Sequence, residues 1–290
     1  MFKGSIVAIV TPFNNGTVDE KKLRELVDFQ IENGTDAIVA CGTTGESSTL
    51  DNEEHLNVIK IVFDQAKGRV PVIAGTGSNS TAEAIHLTRE AKAIGVAGVL
   101  LVTPYYNKPT QEGMYRHYLA IADAVEIPQI LYNVPGRTAV NLLPETVARL
   151  AGHKNIVAIK EATGSLQQAS EVLALCGDQI DVFSGDDFIT FPMMACGAKG
   201  VISVTANIMP KAIADLTDAF YAGDLDKARK LHLDTLKISN AMFIESNPIP
   251  VKTALALMGK CSDEVRLPLA PMGDANKAKL ETIMKEYKLI

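Results

Sequence analysis

Ile156-Val157-Ala158-Ile159-Lys160-Glu161-Ala162-Thr163-Gly164 is the stretch on which the reading of this chain turns. A short apolar run ends in an amine and passes at once into a Gly-containing loop. An amine at the end of a buried strand is where an enzyme would place a Schiff-base nucleophile. At least seven other segments repeat the pattern of apolar strand followed by polar, Gly-rich loop, and Lys160 falls at the sixth of eight such junctions.

The strand candidates are short β-branched or Leu-rich runs of the kind expected for parallel strands buried on both faces. They span 5–11, 37–40, 70–74, 98–103, 129–133, 156–160, 181–184 and 199–204. Helical patterns lie between them: 19–32 carries Leu23, Leu26, Val27 and Ile31 at three- and four-residue steps, and 51–66 repeats this with Leu56, Ile59 and Phe63. Ser80-Thr81-Ala82-Glu83 has the capping-box form, and Pro144 and Pro210 stand where a first-turn proline leaves no extra amide unpaired.

Eight strands alternating with helices predict an α/β protein with a (β/α)8 TIM barrel. A doubly wound open sheet is the competitor. However, Thr11-Pro12-Phe13-Asn14 stands after the first strand where a dinucleotide turn would carry Gly-x-Gly-x-x-Gly, and Gly75-Thr76-Gly77 lacks the third glycine. Residues 1–223 form the expected catalytic barrel. From 224 the pattern is purely helical, over 224–243, 251–258 and 274–287, with Asn247-Pro248-Ile249-Pro250 as a break. Residues 224–290 therefore read as a C-terminal helical extension packed on the barrel, without chemistry of its own.

The 290 residues are 47% hydrophobic and 21% charged, with a formal net charge of −6, which speaks against a nucleic-acid footprint and for small-molecule partners. Ser5-Ile6-Val7-Ala8-Ile9-Val10 is too short to span a membrane and reads as a strand rather than a signal peptide. Cys41, Cys176, Cys196 and Cys261 are scattered and read as reduced, buried thiols of a cytosolic protein. The five histidines show no metal-ligand spacing, so neither a metal nor a cofactor is expected.

In a barrel, the loops that follow the strands share one rim, so distant residues converge there. The chemistry-bearing groups among these strand ends are hydroxyls, phenols, one guanidinium and one amine. An amine is nucleophilic only when unprotonated, and burial can lower a lysine's pKa by up to about 3–5 units, enough for carbinolamine formation with a ketone. Lys160 is the candidate, unless it snorkels to solvent or pairs with Glu161. Tyr132 ends the neighbouring strand and can give and take protons at a carbinolamine oxygen, or can pack its ring at the rim. Thr43 and Thr44 lie between glycines that allow backbone N–H groups to approach an anion such as a 2-oxo acid carboxylate, or that make a tight βα turn. Arg137 follows a Pro-Gly turn and suits a bidentate carboxylate clamp or a surface salt bridge. Tyr105 and Tyr106 are adjacent aromatics between Pro104 and Pro109, and either one ring reaches a neighbouring subunit or both pack within the chain. Asp186 and Asp187 could be paired catalytic carboxylates, but Ser184-Gly185-Asp186 resembles a helix N-cap more, so they read as structural.

Gly42-Thr43-Thr44-Gly45-Glu46-Ser47, Tyr105-Tyr106-Asn107, Tyr132-Asn133-Val134-Pro135-Gly136-Arg137-Thr138, Ile159-Lys160-Glu161-Ala162-Thr163-Gly164 and Asn247-Pro248-Ile249-Pro250-Val251-Lys252 together resemble the dihydrodipicolinate (4-hydroxy-tetrahydrodipicolinate) synthase family of pyruvate-dependent class I aldolases. The resemblance runs over essentially the whole chain. The GTTGES loop and the lysine alone would indicate only the wider superfamily, which includes N-acetylneuraminate lyase. Arg137 and Tyr106 point to the synthase.

The resemblance implies a metal-independent condensation of pyruvate with L-aspartate 4-semialdehyde, the branch-point step toward diaminopimelate and lysine, in a cytoplasmic homotetramer. It implies Lys160 as the imine-forming residue, with Tyr132, Thr43 and the neighbouring subunit's Tyr106 as a proton relay. Thr44 would hold the pyruvate carboxylate and Arg137 that of the semialdehyde, while Gly185 and Ile202 line the pyruvate pocket. It also implies an L-lysine effector site at Ser47, Ser48, His55, Asn79, Glu83 and Tyr105. Asn52 stands where a feedback-sensitive relative often has histidine, and Gly136 replaces a serine seen in some relatives.

Overall fold

The computed structural model describes residues 2–290. Its eight barrel strands are β1 Gly4–Ala8, β2 Ala37–Ala40, β3 Val72–Gly75, β4 Gly98–Val102, β5 Gln129–Asn133, β6 Ile156–Glu161, β7 Asp181–Ser184 and β8 Gly200–Ser203. Each pairs in parallel with the next, and β8 closes on β1 with Gly4 opposite Gly200 and Ile6 opposite Ile202. Closure excludes the open doubly wound sheet. The expected first, third and eighth strands began or ended a few residues too far out, because apolar residues such as Ile9 and Val10 are buried in the loop after the ladder has stopped.

Between the strands run α1 Glu20–Glu32, α2 Asn52–Ala66, α3 Thr81–Ile94, α4 Gln111–Ala124, α5 Pro144–Ala151, α6 Leu166–Cys176, α7 Thr190–Cys196 and α8 Pro210–Tyr221. Asp19 and Asp51, expected inside helices, instead cap them, accepting hydrogen bonds from the Lys22 and Glu54 amides. Ser80 accepts from the Glu83 amide, but the reciprocal half of the capping box is absent. The Ser80 amide donates to the Ser78 hydroxyl, which itself donates to the Glu83 carboxylate.

Side chains alternate along each strand, which separates two apolar layers. Ile6, Ile73, Leu100, Ile130, Phe183 and Ile202 fill the lumen. Val7, Ile38, Val99, Leu131, Ile159 and Val201 face the surrounding helices.

The extension consists of α9 Leu225–Ala241, capped by Asp224, with α10 Ile249–Leu257 and α11 Asp274–Glu286. The proline segment is a helix start rather than only a break: Pro250 sits in the first turn of α10, where a missing amide costs no intrahelical bond. Ile238, Met242, Val251, Leu255 and Leu280 belong to the same apolar cluster as barrel residues Val10 and Phe13, so one core spans both parts. Cys41, Cys176 and Cys261 are buried; Cys196 is exposed at the C-terminal end of α7, contrary to expectation. Among the described residues no helix is long and apolar enough to cross a membrane.

Candidate active site at the strand ends

The parallel register of β5 and β6 sets Tyr132 directly opposite Lys160 and Asn133 opposite Glu161. Alternation turns the first pair into the lumen and the second pair outward. Lys160 is only 5% exposed, and its Nζ lies 4.4 Å from the centre of the Tyr132 ring. Among the described residues it makes no hydrogen bond and no ion pair. Glu161 does not neutralise it. That carboxylate accepts from Asn133 Nδ2 at 3.1 Å, Gln168 Nε2 at 3.1 Å and the Thr163 amide at 2.9 Å, and burial raises its pKa.

Above the lysine opens a cavity of about 500 Å³ lined by Thr44, Tyr132, Arg137, Lys160, Gly185 and Asp186, among others. Its far wall comes from the extension, through Phe243, Glu245, Ser246 and Asn247. Arg137 sits in a short helical turn, Pro135–Thr138, and its Nη2 donates to the Asn247 carbonyl at 3.1 Å. Asn247 Nδ2 donates to Thr44 Oγ1 at 3.0 Å. At Gly185 a Cβ would fall 3.1 Å from the Glu161 carbonyl oxygen and closer still to the Ala162 methyl, so only glycine lets this part of the lining pack against the end of β6.

Three sequence candidates stand apart from this cavity. Thr43 shares with Tyr132 the wall of a separate gap of about 30 Å³, and no hydrogen bond joins the two residues. Ile202 is wholly buried in the lumen cluster, with Tyr132 and Phe183. Tyr106 is 90% exposed, on a loop braced by Asn107 Nδ2 donating to the Asn79 carbonyl and Asn79 Nδ2 donating to that of Tyr105.

The Asp186–Asp187 pair divides. Asp187 is structural: it is buried and accepts from the Ser203 hydroxyl and from the Val204 and Thr205 amides. Asp186, expected to be structural as well, makes no cap bond and faces the cavity. Burial raises its pKa to about 6, against the opposing pull of Lys160. Asp186 and the extension residues are what sequence reasoning passed over.

A second cavity of about 350 Å³ lies on the other side of the Val134–Arg137 segment, which lines both. Ser47, Ser48, His55, Glu83 and Tyr105 line it, whereas Asn79 is engaged with the Tyr105 loop instead. His55 Nε2 lies 2.7 Å from the Gly75 carbonyl, to which it donates, and burial lowers its pKa.

An unpaired lysine inside a (β/α)8 barrel, with a phenol at its side and a guanidinium lining the same cavity, defines a lysine-dependent, imine-forming aldolase. The chain belongs to the dihydrodipicolinate synthetase family, whose model matches residues 1–287. It is 95% identical to 4-hydroxy-tetrahydrodipicolinate synthase of Trichlorobacter lovleyi and 83% identical to that of Geobacter sulfurreducens, over the full length of both chains in each case. It is also similar to the solved dihydrodipicolinate synthase of Acinetobacter baumannii complexed with pyruvate, with 51% identity, complete coverage of both chains and a TM-score of 0.98. The enzyme of Cyanidioschyzon merolae with lysine bound matches at 39% identity, over 100% of this chain and 99% of that one, with a TM-score of 0.96.

Proposed function

We propose that this chain condenses pyruvate with L-aspartate 4-semialdehyde to 4-hydroxy-tetrahydrodipicolinate, the committed step toward diaminopimelate and lysine. The observation that carries this reading is the buried, unpaired Lys160 amine set beside Tyr132 in a cavity that also holds Arg137. Lys160 Nζ attacks the ketone carbon of pyruvate, and loss of water gives the imine. Loss of a methyl proton gives the enamine, which attacks the aldehyde carbon. The amino group of the second substrate then adds to the imine carbon, the ring closes, and the lysine amine leaves.

Thr44 and the glycine loop hold the pyruvate carboxylate, and Arg137 clamps that of the semialdehyde. Gly185 gives the bound keto acid room, and Ile202 supplies the apolar lumen around it. Tyr132 shuttles the proton at the carbinolamine oxygen. The gap between it and Thr43 is of the size that holds about one water, enough for a bridging water in the relay. Tyr106, with no partner for its ring in its own chain, enters a neighbouring subunit's site, and the assembly is a homotetramer built as a dimer of dimers. The second cavity offers Glu83 to an ammonium, and its hydroxyls and the Tyr105 loop to a carboxylate, as an L-lysine effector would require. Three buried thiols suit a reducing compartment, the cytoplasm.

Borohydride reduction with pyruvate should leave one 1-carboxyethyl group on Lys160, and Lys160→Ala should abolish the adduct. Labelling elsewhere, or none, removes the imine mechanism. Arg137→Ala should lower kcat/KM for the semialdehyde by about 10²-fold or more while leaving pyruvate trapping intact. Turnover of N-acetylmannosamine or glyceraldehyde in preference to the semialdehyde would instead mark a sugar-acid aldolase.

A further inference from the structure

A buried ion pair lies beside the active site and no step above uses it. Lys252 and Glu46 are 0% and 1% exposed in their side chains, and Lys252 Nζ meets Glu46 Oε1 at 2.7 Å. The same ammonium donates to the Thr11 carbonyl at 2.9 Å and lies 4.2 Å from the centre of the Phe13 ring. Desolvation lowers the pKa of Lys252, while Glu46 pulls it the other way. Burying two charges costs several kcal/mol per ion, on the order of what their attraction returns, so a pair like this contributes little net stability over an apolar replacement. Its value is in fixing positions.

What it fixes is the loop Gly42-Thr43-Thr44-Gly45-Glu46-Ser47. Glu46 holds a left-handed backbone at φ 54°, and its amide donates to the Thr43 carbonyl at 3.1 Å. Its second carboxylate oxygen accepts from the Arg266 amide at 3.0 Å, and the Arg266 guanidinium donates to the Thr49 carbonyl at 2.9 Å. Asn247 Nδ2 donates to Thr44 Oγ1 and so occupies one of that oxygen's lone pairs. The hydroxyl proton of Thr44 is thereby left to point at an incoming carboxylate. Three residues of the extension thus grip residues 44–49 of the barrel.

We infer that the C-terminal extension is a positioning device for the pyruvate-carboxylate loop, acting through Lys252–Glu46 and Asn247–Thr44. The inference rests on Thr44 binding that carboxylate. Lys252→Met alone strands a buried carboxylate and should lower Tm. The double variant Glu46→Gln with Lys252→Met removes both charges and should recover most of the Tm. With the fold restored, its KM for pyruvate should still be raised by about tenfold, with the semialdehyde KM within about twofold of the parent. A parental pyruvate KM in that double variant overturns the inference.

Should the double variant not fold, Asn247→Ala decides. It leaves the main-chain bond to Arg137 in place, and raised pyruvate KM at parental Tm supports the inference, while unchanged KM overturns it. Borohydride trapping in the parent enzyme is the separate control: if it fails, the functional reading falls first.

Discussion

Asp186 shows how one residue can set stability against activity. Two carboxylates line the cavity, and Glu245 is engaged, accepting from the Gly273 amide and Asn276 Nδ2. Asp186 is the less engaged of the two, its charged form favoured only in part by the Gly164 amide. Its pKa stands at about 6, raised from 3.8 chiefly by burial, with Asp187 and Glu161 pushing the same way and Lys160 opposing. Between those two values the folded chain keeps a proton that the unfolded chain has lost, so stability falls as pH rises through the window and stays low above it. Asp186→Asn removes that penalty. It should stabilise the protein by about 1–2 kcal/mol at pH 7, after allowance for solvent at the rim, and by almost nothing at pH 4. The same variant should raise the semialdehyde KM and spare pyruvate trapping, so calorimetry across pH and steady-state kinetics check the two halves independently. Nothing in Ser184-Gly185-Asp186-Asp187 reveals which aspartate is which, because the groups that hold Asp187 lie at and just after the end of β8, some 16 residues on.

At the scale of elements, the barrel was legible because strands buried on both faces must be nearly continuous apolar runs, and eight such runs stand out. The starts of α1, α2 and α9 were legible to within a residue, since a cap and a first helical residue differ in backbone angle and not in composition, whereas α10 starts two residues before the expected 251, inside the proline segment. The Gly75-Thr76-Gly77 turn has a packing reason rather than a ligand reason. A Cβ at Gly75 would fall inside the Cys41 carbonyl, and one at Gly77 would meet the Val102 amide. Gly75→Ala should therefore cost about 1–3 kcal/mol, read from the denaturation midpoint, as overpacking against backbone that cannot step aside. Wild-type stability in that variant would show that the β2 and β3 ends have slack.

Across the whole molecule, sequence reading located the rim of the barrel but treated the extension as packing. The reason is distance along the chain: Asn247 meets Thr44 across 203 residues and Lys252 meets Glu46 across 206. One local signal was available. Lys252 is the one charged residue of the helix Ile249–Leu257, whose other residues are apolar apart from Thr253, so it has no charged face to join and is taken inside.

The outward Tyr106 ring, held on a braced loop, has a genetic corollary. If every site draws its lysine from one polypeptide and this phenol from its neighbour, two crippled alleles can rescue each other. Co-expressed Lys160→Ala and Tyr106→Phe chains would assemble hybrids in which one centre has lost both groups and the other has both intact. Such mixtures should regain up to about half the parental activity per hybrid pair, whereas each mutant homo-oligomer stays impaired.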